Sequence, residues 1–165
     1  MDYNLAIEIA KDIISVPNCE VLLSGEKTAY IMPKTEEYLI RMTKVVQYKT
    51  TIIKSLDEIQ EDILKVSVCD LSGIANSEKY FADKWSDKAA AAVSGDQYMD
   101  FMDLCVSKGD ALKKVQKIYG IYRSECMAFG DNYNDCEMLK QAEFSYAMAS
   151  AADDIKKNAL YVTDS

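Results

Sequence analysis

Phe129-Gly130-Asp131-Asn132-Tyr133-Asn134-Asp135 places carboxylates and carboxamides in a short turn between an apolar run and a helix. Upstream, Cys126-Met127-Ala128-Phe129 is apolar enough for a buried strand, and downstream Asp135-Cys136-Glu137-Met138-Leu139 resumes with helical spacing. The acidic residues therefore fall at the C-terminal end of a strand, which is where open α/β sheets bind ligands. Oxygen donors such as Asp131, Asn134 and Asp135 suit a hard cation like Mg²⁺, which keeps several waters and takes one or two protein carboxylates. Glycine followed by Asp and Asn is equally turn and N-cap chemistry, with Asn134 or Asp135 capping the next helix. Both readings stand at this point.

Outward from the turn, helices and strands alternate from about Ser107 onward. The spacing predicts a helix over 110–119 ending at Gly120, a strand over 125–129, a helix over 135–141, a strand over 144–148, a helix over 152–158 and a short strand over 160–162. Such a rhythm signals a parallel sheet flanked by helices. Lys108 is expected just past a strand end, beside Gly109, where its ammonium approaches the crevice of Asp131 or else simply lies on the solvated surface.

The preceding residues read differently. Leu5, Ile7, Ile9, Ala10, Ile13 and Ile14 recur at helical spacing until Pro17-Asn18, and 19–23 with 28–32 form a hairpin around Ser24-Gly25-Glu26-Lys27. A second amphipathic helix is expected from Thr35, with Tyr38, Leu39, Met42, Val45 and Val46 facing inward. Thr50–Ile53 is a short β-branched run, Ser55-Leu56-Asp57-Glu58 is a capping box, and 64–71 alternates like a strand. A helix over 76–88 carries Tyr80, Phe81 and Trp85, read as core anchors, and strands are expected over 89–93 and 98–106. The pattern before about residue 104 is α+β.

With 165 residues, half of them hydrophobic, the chain can bury a substantial core or two small ones. A net charge of −8 disfavours nucleic acid and anionic membrane surfaces as partners. No apolar run reaches the roughly 18 residues a membrane helix requires, and Met1-Asp2-Tyr3-Asn4 does not open like a signal peptide, so a cytoplasmic protein is expected. Five cysteines without a C-x-x-C pair read as reduced, mostly buried thiols. Histidine is absent, which removes Ser-His-Asp and Cys-His catalysis and the usual zinc sites. Chemistry is left to carboxylates, lysine and metal.

Lys108-Gly109-Asp110-Ala111-Leu112 followed by Phe129-Gly130-Asp131 and Asn134-Asp135, with Met138-Leu139 in register, resembles the haloacid dehalogenase superfamily and its Cof-type phosphatases. The resemblance continues through Tyr146-Ala147-Met148, Lys156 and Tyr161-Val162-Thr163-Asp164-Ser165. One departure is Ala149-Ser150, where the family usually carries Gly-Asn. It implies an α/β fold, half of a Rossmann-like parallel core over 105–165, preceded by an α+β cap of the C2 type over 1–104 with helices on one face of its sheet. It also implies a Mg²⁺-dependent phosphatase of small phosphorylated metabolites, of the sugar-phosphate type, working through an aspartyl-phosphate. By that analogy Lys108 and Asp135 are catalytic and Asp131 and Asn134 hold the metal. Glu26 and Lys27 at the first hairpin are weaker substrate-binding candidates, because turns contain such residues anyway.

The family's nucleophile motif, D-x-D-G-T or a close variant, does not occur in these residues. The resemblance therefore implies a partial protein whose N-terminal core segment is lost or supplied by another chain, and the chain alone is expected to be inactive. The alternative is a non-catalytic relative persisting as a binding or self-associating module, since a half-core exposes edges and apolar surface.

Overall fold

In a computed structural model, residues 1–47 and 49–164 are described; Ser165, which closes the last of the motif segments, lies outside them. The chain divides into two compact units, Met1–Leu104 and a second from Cys105 onward.

The first unit opens with helix α1 (Tyr3–Ser15), which Asp2 caps by accepting the Leu5 N–H at 2.9 Å. Its Ala6, Ile9, Ala10 and Ile13 form one buried stripe. Six strands follow: β1 (Cys19–Gly25), β2 (Ala29–Ile31), β3 (Thr50–Ile52), β4 (Ile63–Asp70), β5 (Ala90–Gly95) and β6 (Tyr98–Met102). They form one sheet in the order β3-β2-β1-β4-β6-β5, antiparallel except for the β2–β3 pair. Helices α2 (Glu36–Ile40) and α3 (Glu78–Trp85) complete the unit.

Alternation along the strands sorts the core into two layers. Val21, Leu23, Val66 and Val68 meet α1 and the Phe81 and Trp85 side chains of α3 on one face. Leu22, Ala29, Ile31 and Cys69 meet Tyr38 and Met42 on the other. Helices thus cover both faces, not one. Strand periodicity sets which side chains share a face, not what covers each face.

The second helix also departs from its expected span. After Ile40 the backbone widens into a π-helical turn, Arg41–Val45, closed by the Val46 N–H donating to the Arg41 carbonyl at 2.9 Å. The extra residue shifts the helical phase, so Val45 and Val46 leave the sheet and stand 73% and 45% exposed. Likewise β6 stops at Met102, and Val106 is exposed. No disulfide joins the five cysteines, and only Cys19 and Cys69 are buried; Cys105 is exposed, as are its apolar neighbours Leu104 and Val106.

The second unit alternates helix and strand: α4 (Lys108–Tyr119), β7 (Met127–Gly130), α5 (Cys136–Gln141), β8 (Phe144–Ala147), α6 (Asp153–Lys156) and β9 (Tyr161–Val162). The three strands are parallel in the order β7-β8-β9, the parallel α/β arrangement expected. Ala128 of β7 packs with Leu139 and Ala142 to form its small core. No helix among the described residues is long and apolar enough to cross a membrane.

Candidate active site

Three local features bring Lys108 and the acidic turn together. Ser107 caps α4 by accepting the Asp110 N–H at 3.0 Å, so Lys108 is the first helical residue and not part of a connection before a helix that starts at 110. Gly109 then lets α4 close on α5: a Cβ there would stand 2.7 Å from the Glu137 carbonyl carbon. Further along, Gln141 Nε2 donates to Gln116 Oε1 at 2.6 Å, while Gln116 Nε2 reaches the Cys126 sulfur at 3.1 Å. These amide contacts register the two helices along their length, and no motif announced them.

At the end of β7 the chain makes a tight turn, Tyr133–Asp135, before α5 begins. Neither Asn134 nor Asp135 caps α5 with its side chain; the capping falls one turn earlier, with Asn132 at the start of the turn and Asp135 reaching back to it. Asn132 Oδ1 accepts the Tyr133 N–H at 2.8 Å, and Asp135 Oδ2 accepts the N–H groups of Asp131 and Asn132 at 3.0 and 3.2 Å. The other carboxylate oxygen, Oδ1, accepts from the Lys108 ammonium. Asp135 thus serves the turn and the lysine at once. Gly130 makes room for it, because a Cβ at that position would lie 2.5 Å from the Asp135 Cβ.

The pair is asymmetric in exposure: the Lys108 side chain is 50% accessible and that of Asp135 only 5%. Burial pushes the Asp135 carboxyl up, but the Lys108 ammonium and the two backbone N–H groups outweigh it and hold the carboxyl below the usual range. A folded value below the unfolded one stabilises the fold fully above the ordinary carboxyl pKa of about 4 and loses that contribution as pH falls through the folded value. The stability of the second unit should therefore fall on the acid side. NMR-monitored urea unfolding of α5 across a pH series is expected to show a shallower acid limb in Asp135→Asn; an identical limb would remove Asp135 from the account.

Asp131 and Asn134 are exposed and make no side-chain hydrogen bond among the described residues. One carboxylate and one carboxamide oxygen fit a largely hydrated Mg²⁺. Asp135 does not belong to that donor set, being engaged on both oxygens, and no cluster of three or more acidic, Cys or His ligands occurs among the described residues. Glu26 and Lys27 lie in the first unit. They line a surface depression of about 420 Å³ with Thr28, Lys49 and Lys65, and the Lys27 N–H donates to Glu61 at 3.2 Å. At the departure from the family pattern, the Ala149 N–H donates to Thr163 Oγ1 at 3.0 Å.

Fold and site together define an α/β protein that presents a lysine–aspartate pair and a free carboxylate at the C-terminal end of a parallel sheet. The whole chain, residues 1–165, matches the model of haloacid dehalogenase-like hydrolases, and it belongs to that family. It is 26% identical over 155 residues to the 5-amino-6-(5-phospho-D-ribitylamino)uracil phosphatase YbjI of Escherichia coli, covering 93% of this chain and 57% of that protein. A Bacillus subtilis phosphatase of the same name, YwtE, is 35% identical over 82 residues, covering 50% of this chain and 29% of the relative. A solved structure from Eubacterium rectale shares the fold, with a TM-score of 0.82 at 22% identity, covering 98% of this chain and 62% of that one. The chain spans less than two thirds of the length of these relatives.

Proposed function

We propose that this chain supplies the lysine and metal side of a Mg²⁺-dependent phosphatase acting on small phosphorylated metabolites of the sugar-phosphate type, with residues 1–104 as its cap. The observation that carries the reading is the Lys108–Asp135 pair beside the exposed Asp131 at the end of β7, in a chain whose family relatives are named as phosphatases. Lys108 would neutralise charge on the transferring phosphoryl oxygens, and Asp135 holds it by orientation and by pairing. Asp131 and Asn134 would hold Mg²⁺, which when bound neutralises phosphoryl charge as a Lewis acid. The attacking aspartate would come from a segment beyond these residues, since no Asp-x-Asp-Gly occurs among them.

The test is release of phosphate from sugar phosphates and an aryl phosphate. The 165-residue chain alone should show none above background, and the chain joined to a segment bearing an attacking aspartate should turn over in a manner that Asp131→Ala abolishes. Turnover by the chain alone that disappears in Asp131→Asn would mean another aspartate attacks.

A second reading, a binding or self-associating module, is favoured by one feature of the second unit. Phe129, Tyr146 and Tyr161 stack in a ladder across β7, β8 and β9 with centroids 5.0 Å apart, and Met127 and Phe144 share their face. That face is solvent-exposed, with Met127 at 59% and Phe129 at 53%. If sedimentation shows a dimer that dissociates in Phe129→Asp while the joined chain stays inactive, this reading replaces the first.

A further inference from the structure

Arg41 carries a guanidinium that the fold holds in place with no acidic partner among the described residues. Its Nη1 donates to Gln97 Oε1, and it lies over the Tyr98 ring with 5.6 Å from Cζ to the centroid. Gln97 is itself anchored, its Nε2 donating to the Leu71 carbonyl at 2.8 Å. Among the described residues no carboxylate stands within ion-pair distance of Arg41. In a chain of net charge −8, a half-buried cation left unpaired yet braced on two sides is unusual.

Its backbone is special as well. Arg41 opens the π-helical turn, and its own N–H is shared between the Glu37 and Tyr38 carbonyls. Such turns are rare and occur frequently at functional sites, where the widened ring aims a side chain that regular helix would place elsewhere. The side chain lines a surface depression of about 410 Å³, shared with Leu71, Ser72, Asp96, Gln97 and Tyr98.

The chemistry narrows the ligand. A planar guanidinium matches the two oxygens of a carboxylate or phosphate, and one held beforehand in position loses little entropy on binding. Asp96, exposed at the β5–β6 turn on the same depression, repels a bare dianion but accepts from a hydroxyl. We propose that Arg41, Gln97 and Tyr98 form a binding site for the oxyanion of a small hydroxylated metabolite, a carboxylate or a phosphate seated on Arg41 with a hydroxyl toward Asp96. This site lies within the first unit and does not depend on the phosphatase reading, because binding is observed without turnover.

The experiment titrates the full chain with gluconate, glucose 6-phosphate and inorganic phosphate at millimolar concentration, following the Gln97 side-chain amide and the Arg41 Nε–H by NMR. The hydroxylated anions should shift both signals and inorganic phosphate should bind more weakly. Response to gluconate alone identifies a carboxylate ligand, and response to glucose 6-phosphate alone a phosphate. Arg41→Lys, which keeps the charge but loses the fork, should weaken binding roughly tenfold, and Arg41→Met should abolish it. Asp96→Asn should weaken the hydroxylated probes while strengthening inorganic phosphate. Should no probe bind, or should Arg41→Lys bind as tightly as the parent chain, the site is not an anion site and Arg41 only braces the β5–β6 turn.

Discussion

Lys108→Ala, made in the chain joined to a segment that supplies an attacking aspartate, is expected to lower kcat by about 10²-fold or more, with a smaller change in KM. The size follows from the loss of one preorganised charge contact to the transferring phosphoryl group. Preorganisation is visible in the structure: the ammonium sits at the first turn of α4 and is held by a carboxylate that two backbone N–H groups also fix. Asp135→Asn separates the two roles. The carboxamide oxygen can still accept from the turn, but the lysine loses its countercharge, so turnover should fall by less than in Lys108→Ala. A Lys108→Ala enzyme with near-parental turnover would refute the assignment, since no other cation among the described residues pairs with Asp135.

Gly130→Ala and Gly109→Ala are expected to cost about 1–3 kcal/mol each in the stability of the second unit, because both force close-packed elements apart. At Gly130 the new methyl would stand 2.5 Å from the Asp135 Cβ, and at Gly109 it would meet the Glu137 backbone at 2.7 Å. Neither obstacle is the far end of a flexible side chain, so the helix or the turn itself must shift. Gly130→Ala should also loosen the Lys108–Asp135 contact, which makes it the more damaging to activity for an equal loss of stability. Urea unfolding followed by amide signals of α5 would measure the first effect and turnover of the joined chain the second. Gly120, at φ +66° with open space around it, offers the contrast: alanine there is strained by conformation and not by contact.

Much of this was legible in the residues taken one stretch at a time. Helix α1, the first hairpin, the capping box at Ser55–Glu58 and the alternation of helices and strands after Ser107 all follow from local periodicity and turn chemistry, and each occurs about where expected. So did the residue types of the acidic turn. What local pattern could not carry was phase and proximity. The π-helical turn at Arg41–Val45 reversed the facing of Val45 and Val46, because hydrophobic spacing assumes a helical period that an inserted residue breaks.

The sequence by itself determined that the second unit is a parallel α/β element whose strand over 125–129 leads into an oxygen-rich turn, and that lysine and carboxylates carry any chemistry in a chain without histidine. Tertiary structure alone decided which carboxylate does what. Asp131 and Asp135 are the same residue type in the same turn, yet only Asp135 is buried, and only it meets Lys108. The distinction is made by Gly130, which admits the Asp135 side chain beneath the strand end, and by Gly109, which lets α4 come close enough to deliver the lysine. A missing Cβ is a local fact, but the approach it permits is between segments distant in sequence, and only folding brings them into contact.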